Sequence, residues 1–525
     1  MSLGIRLQPD APVRTTVAMV ERIADMGDAL VLTATSITGS VVTLSGASLA
    51  NAVARTAGVL QERGIGPGSI AAIFLDNRAG LEATVVHWAI HWAGGVTVPL
   101  NTRLSDREVE TILTHAEAHI VCSAGPLAER ITDLCGALGT SMWDLSAGIL
   151  SVVEAASPCP PATCTEDDIA DILYTSGTTG TPKGVELTHG NCISCGLELQ
   201  EAMRLGAGDV LMSAVPYFTS TGAHTNPLAA FVTPCHYVLE PEFDQHAFLS
   251  RVEQYGVTVY MGVPSMLQLI MRDTSVPVGL PPSLRRLVFG GSVTTADSLR
   301  NLAAAFPGRE LVNLYGLTEG GPGGACIGPE DILAVPGSVG CHGNGRNTFL
   351  MVQREDGTEA DPDEVGEICV RSPAVMRGYR NNPDATAQAL RGGWLHTSDY
   401  GYRDEQGYLW YVGRRDDLIV RGGFNIATGE VESILAGCPG VRECAVVGVA
   451  HEVLGQDLVA YVVPEGDDID ATAVSAFLRE RLADYKVPRR VVLLDELPRS
   501  AMGKILKRAL PPVEGRVIRL DPAST

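Results

Sequence analysis

The chain has 525 residues, of which 45% are hydrophobic and 19% charged, a balance typical of a globular enzyme with two or three domains. Its formal net charge of −22 argues against binding to nucleic acid or to anionic membranes, because both are themselves negatively charged. The sequence contains no export signal and no run as long as a membrane span. We therefore expect a cytoplasmic protein whose twelve cysteines are reduced thiols.

Strands and helices alternate along much of the chain, which predicts parallel sheets with crossover helices. Three early segments are predicted to be helices, 48–63, 80–95 and 105–116. Short apolar runs are interpreted as strands, at 70–77, 96–101, 119–124, 169–174, 209–218, 257–264, 284–292 and 310–316.

The composition changes between residues 337 and 413, where Gly, Asp and Pro separate short β-rich runs, and this predicts a small β subdomain. The remaining residues are numerous enough for a separate small domain. The predicted fold class is α/β. It has a large N-terminal domain of parallel sheets with helices plus the β subdomain over 1–413, a hinge at 414–416, and a small mobile α+β domain over 417–525.

The run YTSGTTGTPKGV, residues 174–185, is the most informative motif. Its Gly, Ser and Thr residues can bring backbone N–H groups and hydroxyls close to an anion, and Lys183 adds a positive charge. The pattern differs from the common phosphate loop, because Gly177 and Gly180 are too close and Lys183 is followed by Gly184. A plain linker is the alternative. The strand predicted at 169–174 and the run after Gly184, which is predicted to turn helical, favour a phosphate site.

Three further motifs contain residues suited to nucleotide chemistry. In NLYGLTEGGP, Tyr315 beside Gly316 can stack on a flat base, and Glu319 can hold Mg²⁺. Asp399 lies in the turn of GGWLHTSDYG, and Lys504 lies on a Gly-containing loop near the C-terminus. Each residue alone would more often be an ordinary turn or surface residue. The pair Cys192 and Cys195 has no second pair at zinc-site spacing, so a metal or redox role is not expected.

In this order and spacing the motifs resemble those of the adenylate-forming superfamily, which includes acyl- and aryl-CoA synthetases, firefly luciferase and the adenylation domains of nonribosomal peptide synthetases. The resemblance extends from about Leu44 to Lys507. It implies that the β- and γ-phosphates of ATP are held by a loop containing Thr175, Ser176, Gly177, Thr178, Thr179 and Lys183.

The resemblance also implies roles for the other motifs. Asn313 would meet the adenine amino group, Tyr315 and Gly316 would lie against the ring, and Asp399 would accept the ribose hydroxyls with Arg414 nearby. Thr318 would contact the α-phosphate, Glu319 would bind Mg²⁺, and Lys504 would contact the reacting carboxylate. Asp416 would be the hinge, and Gly423 would line the pantetheine tunnel. The substrate pocket would include Phe218, Thr219, Gly222, Gly290 and Gly291.

The sequence departs from the family pattern at a few positions. Thr219 occupies a position where many CoA ligases have histidine, which indicates a roomy acyl pocket or a rearranged helix start, and His224 could replace that histidine. This segment has no Asp of the kind that pairs with a substrate amine, which disfavours an α-amino acid. Thr428 and Gly429 stand where Pro and Ala are usual, and Ser398 stands where Gly is common.

The leading hypothesis is an ATP- and Mg²⁺-dependent acid–CoA ligase for a hydrophobic or bulky carboxylic acid. The alternatives are an acyl-AMP ligase that loads a separate carrier protein, an enzyme that only thioesterifies a preformed adenylate, and a degenerate relative that acts as a sensor. The expected partners are the small-molecule acid and CoA, with a homodimer left open and neither nucleic acid nor membrane involved.

Overall fold

A computed structural model gives the fold of the chain. It describes residues 11–175, 182–272, 280–291, 294, 296–321, 323–343, 345, 347–414, 418–422, 424–466, 469–498, 507, 510–514 and 516–520. Two compact units are present. The first unit comprises Met1–Thr102, Leu113–Tyr174 and Gly184–Gly413, and the second unit comprises Arg103–Ile112, Thr175–Lys183 and Arg414–Thr525.

The α-helices are numbered in chain order. They are α1 (Thr16–Ala24), α2 (Gly46–Glu62), α3 (Gly80–Trp92), α4 (Asp106–Ala116), α5 (Gly125–Leu138), α6 (Ile149–Val152), α7 (His189–Met203), α8 (Asn226–Phe231), α9 (Phe248–Tyr255), α10 (Pro264–Met271), α11 (Ala296–Ala305), α12 (Pro383–Ala389), α13 (Thr428–Leu435) and α14 (Ala471–Arg479). Among the described residues, no helix is both long and apolar enough to span a bilayer.

The strands are numbered in the same way. They are β1 (Leu30–Thr35), β2 (Val41–Ser45), β3 (Ile70–Phe74), β4 (Val96–Pro99), β5 (Ile120–Ser123), β6 (Ser141–Asp144), β7 (Ile169–Thr175), β8 (Lys183–Thr188), β9 (Val210–Ser213), β10 (His236–Leu239), β11 (Val259–Gly262), β12 (Arg286–Gly290), β13 (Glu310–Gly316), β14 (Gly324–Ile327), β15 (His342–Gly343), β16 (Phe349–Gln353), β17 (Gly366–Arg371), β18 (Gly378–Tyr379), β19 (Leu395–Arg403), β20 (Leu409–Arg414), β21 (Leu418–Arg421), β22 (Phe424–Ala427), β23 (Val441–His451), β24 (Gly455–Pro464), β25 (Arg490–Leu493) and β26 (Val517–Arg519).

Two largely parallel sheets form the frame of the first unit. One has the order β15-β14-β13-β12-β11-β9-β10-β1-β2, and the other has the order β18-β8-β7-β4-β3-β5-β6. The six strands from β13 to β1 in the first order pair in parallel, as do β7, β4, β3, β5 and β6 in the second. This confirms the predicted α/β class, in which buried parallel strands alternate with helices.

Helix α3 lies in the core between the two sheets. It contacts β1 of one sheet and β3 and β4 of the other, and all of its residues are buried. Its apolar residues are distributed around the helix, as expected for a helix with no solvent face, and Glu82, His87 and His91 are buried with them. Helix α7 begins with a capping box, in which Thr188 and Asn191 each accept a hydrogen bond from the other's backbone N–H. One continuous apolar core joins these helices to both sheets.

The remaining sheets are smaller. The sheet β16-β17-β19-β20 forms the β subdomain predicted within 337–413, with β17 antiparallel to β16 and to β19. The second unit contains a mixed sheet of β21 to β26, and α13 and α14 contribute to the core on one of its faces. The second unit is therefore an α+β body built around its own sheet.

One local prediction is wrong. The segment after Gly184 was expected to turn helical, but Lys183–Thr188 forms strand β8, and the helix begins only at His189. Burial explains the difference, because Val185 and Leu187 pack into the sheet between β18 and β7 before the capping box starts the helix.

Candidate active site

The carboxyl ends of β12 and β13 lie side by side at one edge of the nine-stranded sheet. The strands are parallel neighbours, and Gly290 pairs with Leu314. A Cβ atom on Gly290 would lie 2.3 Å from the Leu314 carbonyl oxygen, and Gly291 has a φ of +83°. Both positions therefore require glycine, so the backbone itself forms this edge, where ligands of parallel sheets are generally bound.

Asn313 contributes a buried polar atom to the same edge. Its side chain extends from β13, the residue is 7% exposed, and its Oδ1 has no hydrogen-bond partner within the described part of the chain. A buried carbonyl oxygen without a donor is costly, so this atom suits a ligand that brings an N–H group. The adenine amino group predicted to meet Asn313 is such a donor.

Tyr315 and Asp399 are far apart in sequence but meet in the fold. The Tyr315 hydroxyl donates a hydrogen bond of 2.8 Å to Oδ2 of Asp399, and Asp399 is 3% exposed. The backbone N–H of Asp399 donates to Thr397 Oγ1, which itself donates to the Ile368 carbonyl. The residues predicted to contact adenine and ribose are therefore adjacent, and Asp399 is fixed by its strand neighbours.

Ser398 adopts a left-handed backbone conformation next to Asp399. Its φ is +59°, a region that favours glycine. The Ser398 N–H donates to Glu367 Oε1 at 3.0 Å, and the other oxygen of Glu367 lies 2.8 Å from His396 Nδ1. This geometry explains why glycine is common at this position in the family. The hydrogen bond to Glu367 stabilises this strained conformation of Ser398. Glu367 was not among the residues predicted from the sequence.

Glu319 lies in a short helical turn, Thr318–Gly320, directly after β13. Tyr379 donates a hydrogen bond of 2.9 Å to its Oε1, and the Met376 N–H donates to its backbone carbonyl. Gly321 closes the turn with a φ of +72°, and a Cβ there would lie 2.0 Å from the Ala374 carbonyl oxygen. Sequence reasoning missed Tyr379, because only the pairing of β18 with β8 brings it to this carboxylate.

The predicted acyl-pocket segment forms a hydrogen-bonded turn. Thr219 Oγ1 donates to the Pro216 carbonyl at 2.7 Å and accepts from the Gly222 N–H at 3.0 Å. A Cβ on Gly222 would lie 2.1 Å from the same carbonyl oxygen. A π-helical turn, Thr221–Thr225, then leads into α8. Of the two interpretations of Thr219, the structure therefore favours the rearranged helix start. Phe218 precedes this turn and is partly exposed.

His224, the candidate replacement for the absent histidine, lies in the core. Its ring is fully buried, and Nδ1 lies 2.9 Å from Oδ2 of Asp171. The cysteine pair that was considered for a metal or redox role is also buried, and burial raises the pKa of Cys192 and of Cys195 well above the ordinary thiol value. Both cysteines are core residues in this structure.

The predicted phosphate loop is described only at its ends. Thr175 is the last residue of β7, Lys183 is the first residue of β8, and both are partly exposed. The backbone of Arg414 ends β20. Several predicted site residues lie outside the described part of the chain: Ser176, Gly177, Thr178, Thr179, Asp416, Gly423 and Lys504.

In the second unit, Thr428 begins helix α13 and accepts a hydrogen bond of 2.7 Å from Lys507 Nζ. Lys507 Nζ also lies 2.9 Å from Glu432 Oε1. The departure from Pro at this position thus provides a polar contact near the start of the helix that proline could not make.

Two family models match separate parts of the chain. The family model of AMP-binding enzymes matches residues 21–380, and the model of the AMP-binding enzyme C-terminal domain matches residues 430–504. Feruloyl-CoA synthase from an Amycolatopsis species is 36% identical over 481 residues, which cover 90% of this chain and 94% of that protein.

Solved structures give the same result. A double mutant of o-succinylbenzoate CoA synthetase from Bacillus subtilis superposes with a TM-score of 0.86 at 28% identity, covering 96% of this chain and 99% of that one. An amide bond synthetase from Marinactinospora thermotolerans superposes with a TM-score of 0.83 at 28% identity, covering 93% and 98%. The predictions of an adenylate-forming fold and of an ATP-dependent acid–CoA ligase are thereby confirmed at the level of the family. The chain belongs to the AMP-binding enzyme family.

Proposed function

We propose that this chain activates an aromatic or similarly bulky carboxylic acid as its acyl-AMP and then transfers the acyl group to CoA. The observation that carries the proposal is the meeting of Asn313, Tyr315, Asp399 and Glu319 around one sheet edge. The unsatisfied Oδ1 of Asn313 fits an adenine donor, and the buried carboxylate of Asp399 fits a pair of hydroxyl donors.

The first step joins the acid to the nucleotide. A carboxylate oxygen attacks the α-phosphorus of ATP, the new O–P bond forms, and pyrophosphate leaves with the electrons of the broken bond. Two anions must approach each other, so cationic groups have to offset their repulsion. Lys183, Lys504 and Thr318 are the residues proposed to contact the phosphates and the reacting carboxylate.

The carboxylate of Glu319 is the kind of oxygen ligand that Mg²⁺ prefers, and a bound Mg²⁺ would neutralise phosphate charge. Tyr379 holds Oε1 of Glu319 at 2.9 Å and thereby fixes the direction of this carboxylate. Its backbone is held as well, through the hydrogen bond from Met376 to the Glu319 carbonyl. Glu319 is thus pre-oriented by its own chain rather than by a ligand.

In the second step the CoA sulfur attacks the acyl carbonyl, the C–S bond forms, AMP leaves with the electrons of the broken C–O bond, and the thiol proton is released to solvent. The thiol needs a different path to the carbonyl from that of ATP, so we propose that the C-terminal domain turns at Asp416 between the steps. Gly423 is the residue proposed to border the path of pantetheine. This division into a domain of residues 1–413, a hinge of 414–416 and a mobile domain of 417–525 remains a prediction.

The aromatic class is supported by the relatives, which include enzymes named for feruloyl, 2-succinylbenzoate and indoleacetate substrates. The segment from Phe218 to Gly222 contains no carboxylate that could pair with a substrate amine. We also propose a cytoplasmic location, which the twelve free thiols support. Whether the chain forms a homodimer stays a prediction.

The test is mass spectrometry of the purified chain with ATP, Mg²⁺, CoA and a panel of aromatic, fatty and short-chain acids. We expect acyl-CoA and AMP with at least one aromatic acid. Glu319→Gln should reduce the rate by at least about 100-fold, as expected for a lost charge-stabilising group. The matched control Glu330→Gln removes an exposed carboxylate and should keep the rate. Product only from short-chain acids would contradict the proposed substrate class.

A second candidate is amide formation from the same acyl-AMP. The structural similarity to an amide bond synthetase over 93% of the chain favours including an amine as acceptor. A carrier-protein thiol is a third possible acceptor. Repeating the assay with an amine or a carrier protein in place of CoA distinguishes them, since each gives a product of different mass.

A further inference from the structure

A single buried carboxylate organises a polar cluster in the core of the first unit. Asp171 on β7 is 1% exposed and is surrounded by ring nitrogens of three histidines. His224 Nδ1 lies 2.9 Å from Oδ2, whereas the Nε2 atoms of His87 and His91 lie 3.1 Å and 3.2 Å from Oδ1. Cys192 Sγ, at 3.5 Å from Oδ2, is a further donor.

The hydrogen bonds around His91 define where the protons lie. Its Nε2 is 2.9 Å from the Ala170 carbonyl, which can only accept, so this nitrogen carries a proton. Its Nδ1 must then accept from the Thr16 hydroxyl, which in turn accepts from His189 Nδ1. A proton on His91 Nε2 occupies the lone pair that a metal would need. His91 therefore acts as a donor to the carboxylate, and His224 Nδ1 and Cys192 Sγ lie within hydrogen-bond distance of its other oxygen.

This carboxylate reaches both ends of the predicted acyl-pocket segment. At one end, the Tyr217 hydroxyl lies 2.7 Å from Nδ1 of His87, whose Nε2 lies 3.1 Å from Oδ1 of Asp171 as a close polar contact rather than a hydrogen bond. At the other end, His224 binds Asp171 directly. The other nitrogen of His224, Nε2, is buried and has no hydrogen-bond partner among the residues with described structure. Asp171 is thus the group that fixes the orientation of the His224 ring.

The residues between these two ends are the predicted contacts of the acid, Phe218, Thr219 and Gly222. They form the tight turn on the Pro216 carbonyl and the π-helical turn that follows it, a type of irregularity often found at functional sites. A buried carboxylate is a poor way to gain stability, because apolar residues of similar size would avoid the cost of desolvation. The contacts of Asp171 therefore suit a role in fixing one conformation of this turn.

We propose that Asp171 is a positioning residue for the acid substrate, which holds Tyr217 and His224 and thereby sets the shape of the acyl pocket between them. The inference rests on the proposed function, since it takes 217–224 as the acyl segment. The nucleotide residues Asn313, Tyr315 and Asp399 make none of the contacts described for the cluster.

The test compares variants on two sides of the cluster, the side facing the acyl segment and the side at Thr16. His224→Leu and Tyr217→Phe remove the links to the acyl segment, and Asp171→Asn weakens both. His224→Asn keeps a donor near the position of Nδ1. Thr16→Val is the matched control, because it removes the hydroxyl between His91 and His189 and leaves Tyr217 and His224 untouched. For each variant, the KM for the acid and the KM for ATP are measured by pyrophosphate exchange, together with Tm.

We expect His224→Leu and Asp171→Asn to raise the KM for the acid by at least about tenfold while the KM for ATP changes less than about twofold. Asn at position 224 should restore most of the loss. Thr16→Val should lower Tm without changing the KM for the acid. An unchanged KM in folded His224→Leu, or an equal increase in Thr16→Val, would overturn the proposal, as would stoichiometric zinc in the purified protein.

A readout without turnover separates this inference from the proposed function. Hydrogen exchange of backbone amides 217–225 should become faster in His224→Leu than in the wild type, and should not change in Thr16→Val. If amides 217–225 exchange faster in His224→Leu but the wild type forms no acyl-AMP with any acid, the positioning role stands and the proposed function is rejected. Equal exchange in both variants would reject the positioning role.

Discussion

Single side chains at the proposed nucleotide site differ in how completely the protein satisfies them. Asp399 accepts from Tyr315 and Glu319 accepts from Tyr379, so each carboxylate is oriented before any ligand binds. Asn313 differs, because its buried Oδ1 has no partner within the described residues. Such an atom is a local cost to the free protein that a ligand donor can remove.

Asn313→Leu therefore should weaken ATP binding without destabilising the fold. We expect the Kd for ATP to rise by about tenfold, which corresponds to about 1.4 kcal/mol, while Tm stays the same or rises. Calorimetric titration with ATP and thermal unfolding measure the two quantities. Thr56→Val is the control, since it removes another buried oxygen, on α2, that lacks a partner among the described residues. A variant that binds ATP as tightly as the wild type would contradict the adenine role.

At the scale of elements, the backbone turn after β13 decides where Glu319 points. Gly320 and Gly321 are adjacent, yet their surroundings differ. A Cβ on Gly321 would collide with the Ala374 carbonyl at 2.0 Å in a left-handed backbone. A Cβ on Gly320 would lie 3.3 Å from the Leu317 side chain and 3.9 Å from the Leu395 side chain. The turn therefore packs closely against the segment from Ala374 to Tyr379, whose Met376 and Tyr379 donate hydrogen bonds to Glu319.

This difference gives a matched pair of variants. Gly321→Ala should lower the free energy of unfolding by at least about 2 kcal/mol, since both strain and a backbone clash oppose it, and should abolish adenylation by moving Glu319. Gly320→Ala should cost no more than about 1 kcal/mol and keep most activity, because a flexible leucine can adjust. Denaturant unfolding and pyrophosphate exchange test both. Equal effects of the two substitutions would contradict the conclusion that the packing of Gly321 against Ala374 fixes the turn.

At the scale of the whole molecule, a second buried carboxylate affects the pH dependence of stability. Glu198 on α7 accepts from Ser372, but its Oε2 is buried without a partner in the described residues, and burial raises the pKa of Glu198 to about 7. In the unfolded chain this carboxyl would ionise near its ordinary pKa of about 4.3. Between these values the folded protein keeps a proton that the unfolded chain has lost, so raising the pH favours unfolding.

Glu198→Gln removes this titration. Relative to the variant, the wild type should lose about 3 kcal/mol of unfolding free energy as the pH rises from 4.5 to 7.5, and the difference should then level off. All five tryptophans lie in the first unit, so their fluorescence during urea unfolding reports on the part that contains Glu198. Parallel pH profiles for the two proteins would show that Glu198 titrates in its ordinary range.

The sequence by itself determined the features that depend on local chemistry. Apolar runs and turn residues located the strands and helices, because burial in parallel sheets leaves few polar positions in a strand. The order of the motifs showed the resemblance to the adenylate-forming superfamily, and that resemblance implied the proposed nucleotide residues. The error after Gly184 arose because an apolar run does not by itself distinguish a strand from a helix.

Only the tertiary structure decided which distant residues meet. Tyr379 reaches Glu319 through the pairing of β18 with β8, and Asp171 gathers histidines from α3 and from the turn before α8. No local sequence pattern predicts these contacts. A tyrosine or histidine in an apolar segment gives the same pattern whether its side chain only packs in the core or also makes a hydrogen bond. The contacts follow from the order of strands in the sheets, which is set by burial over the whole unit rather than by any one segment.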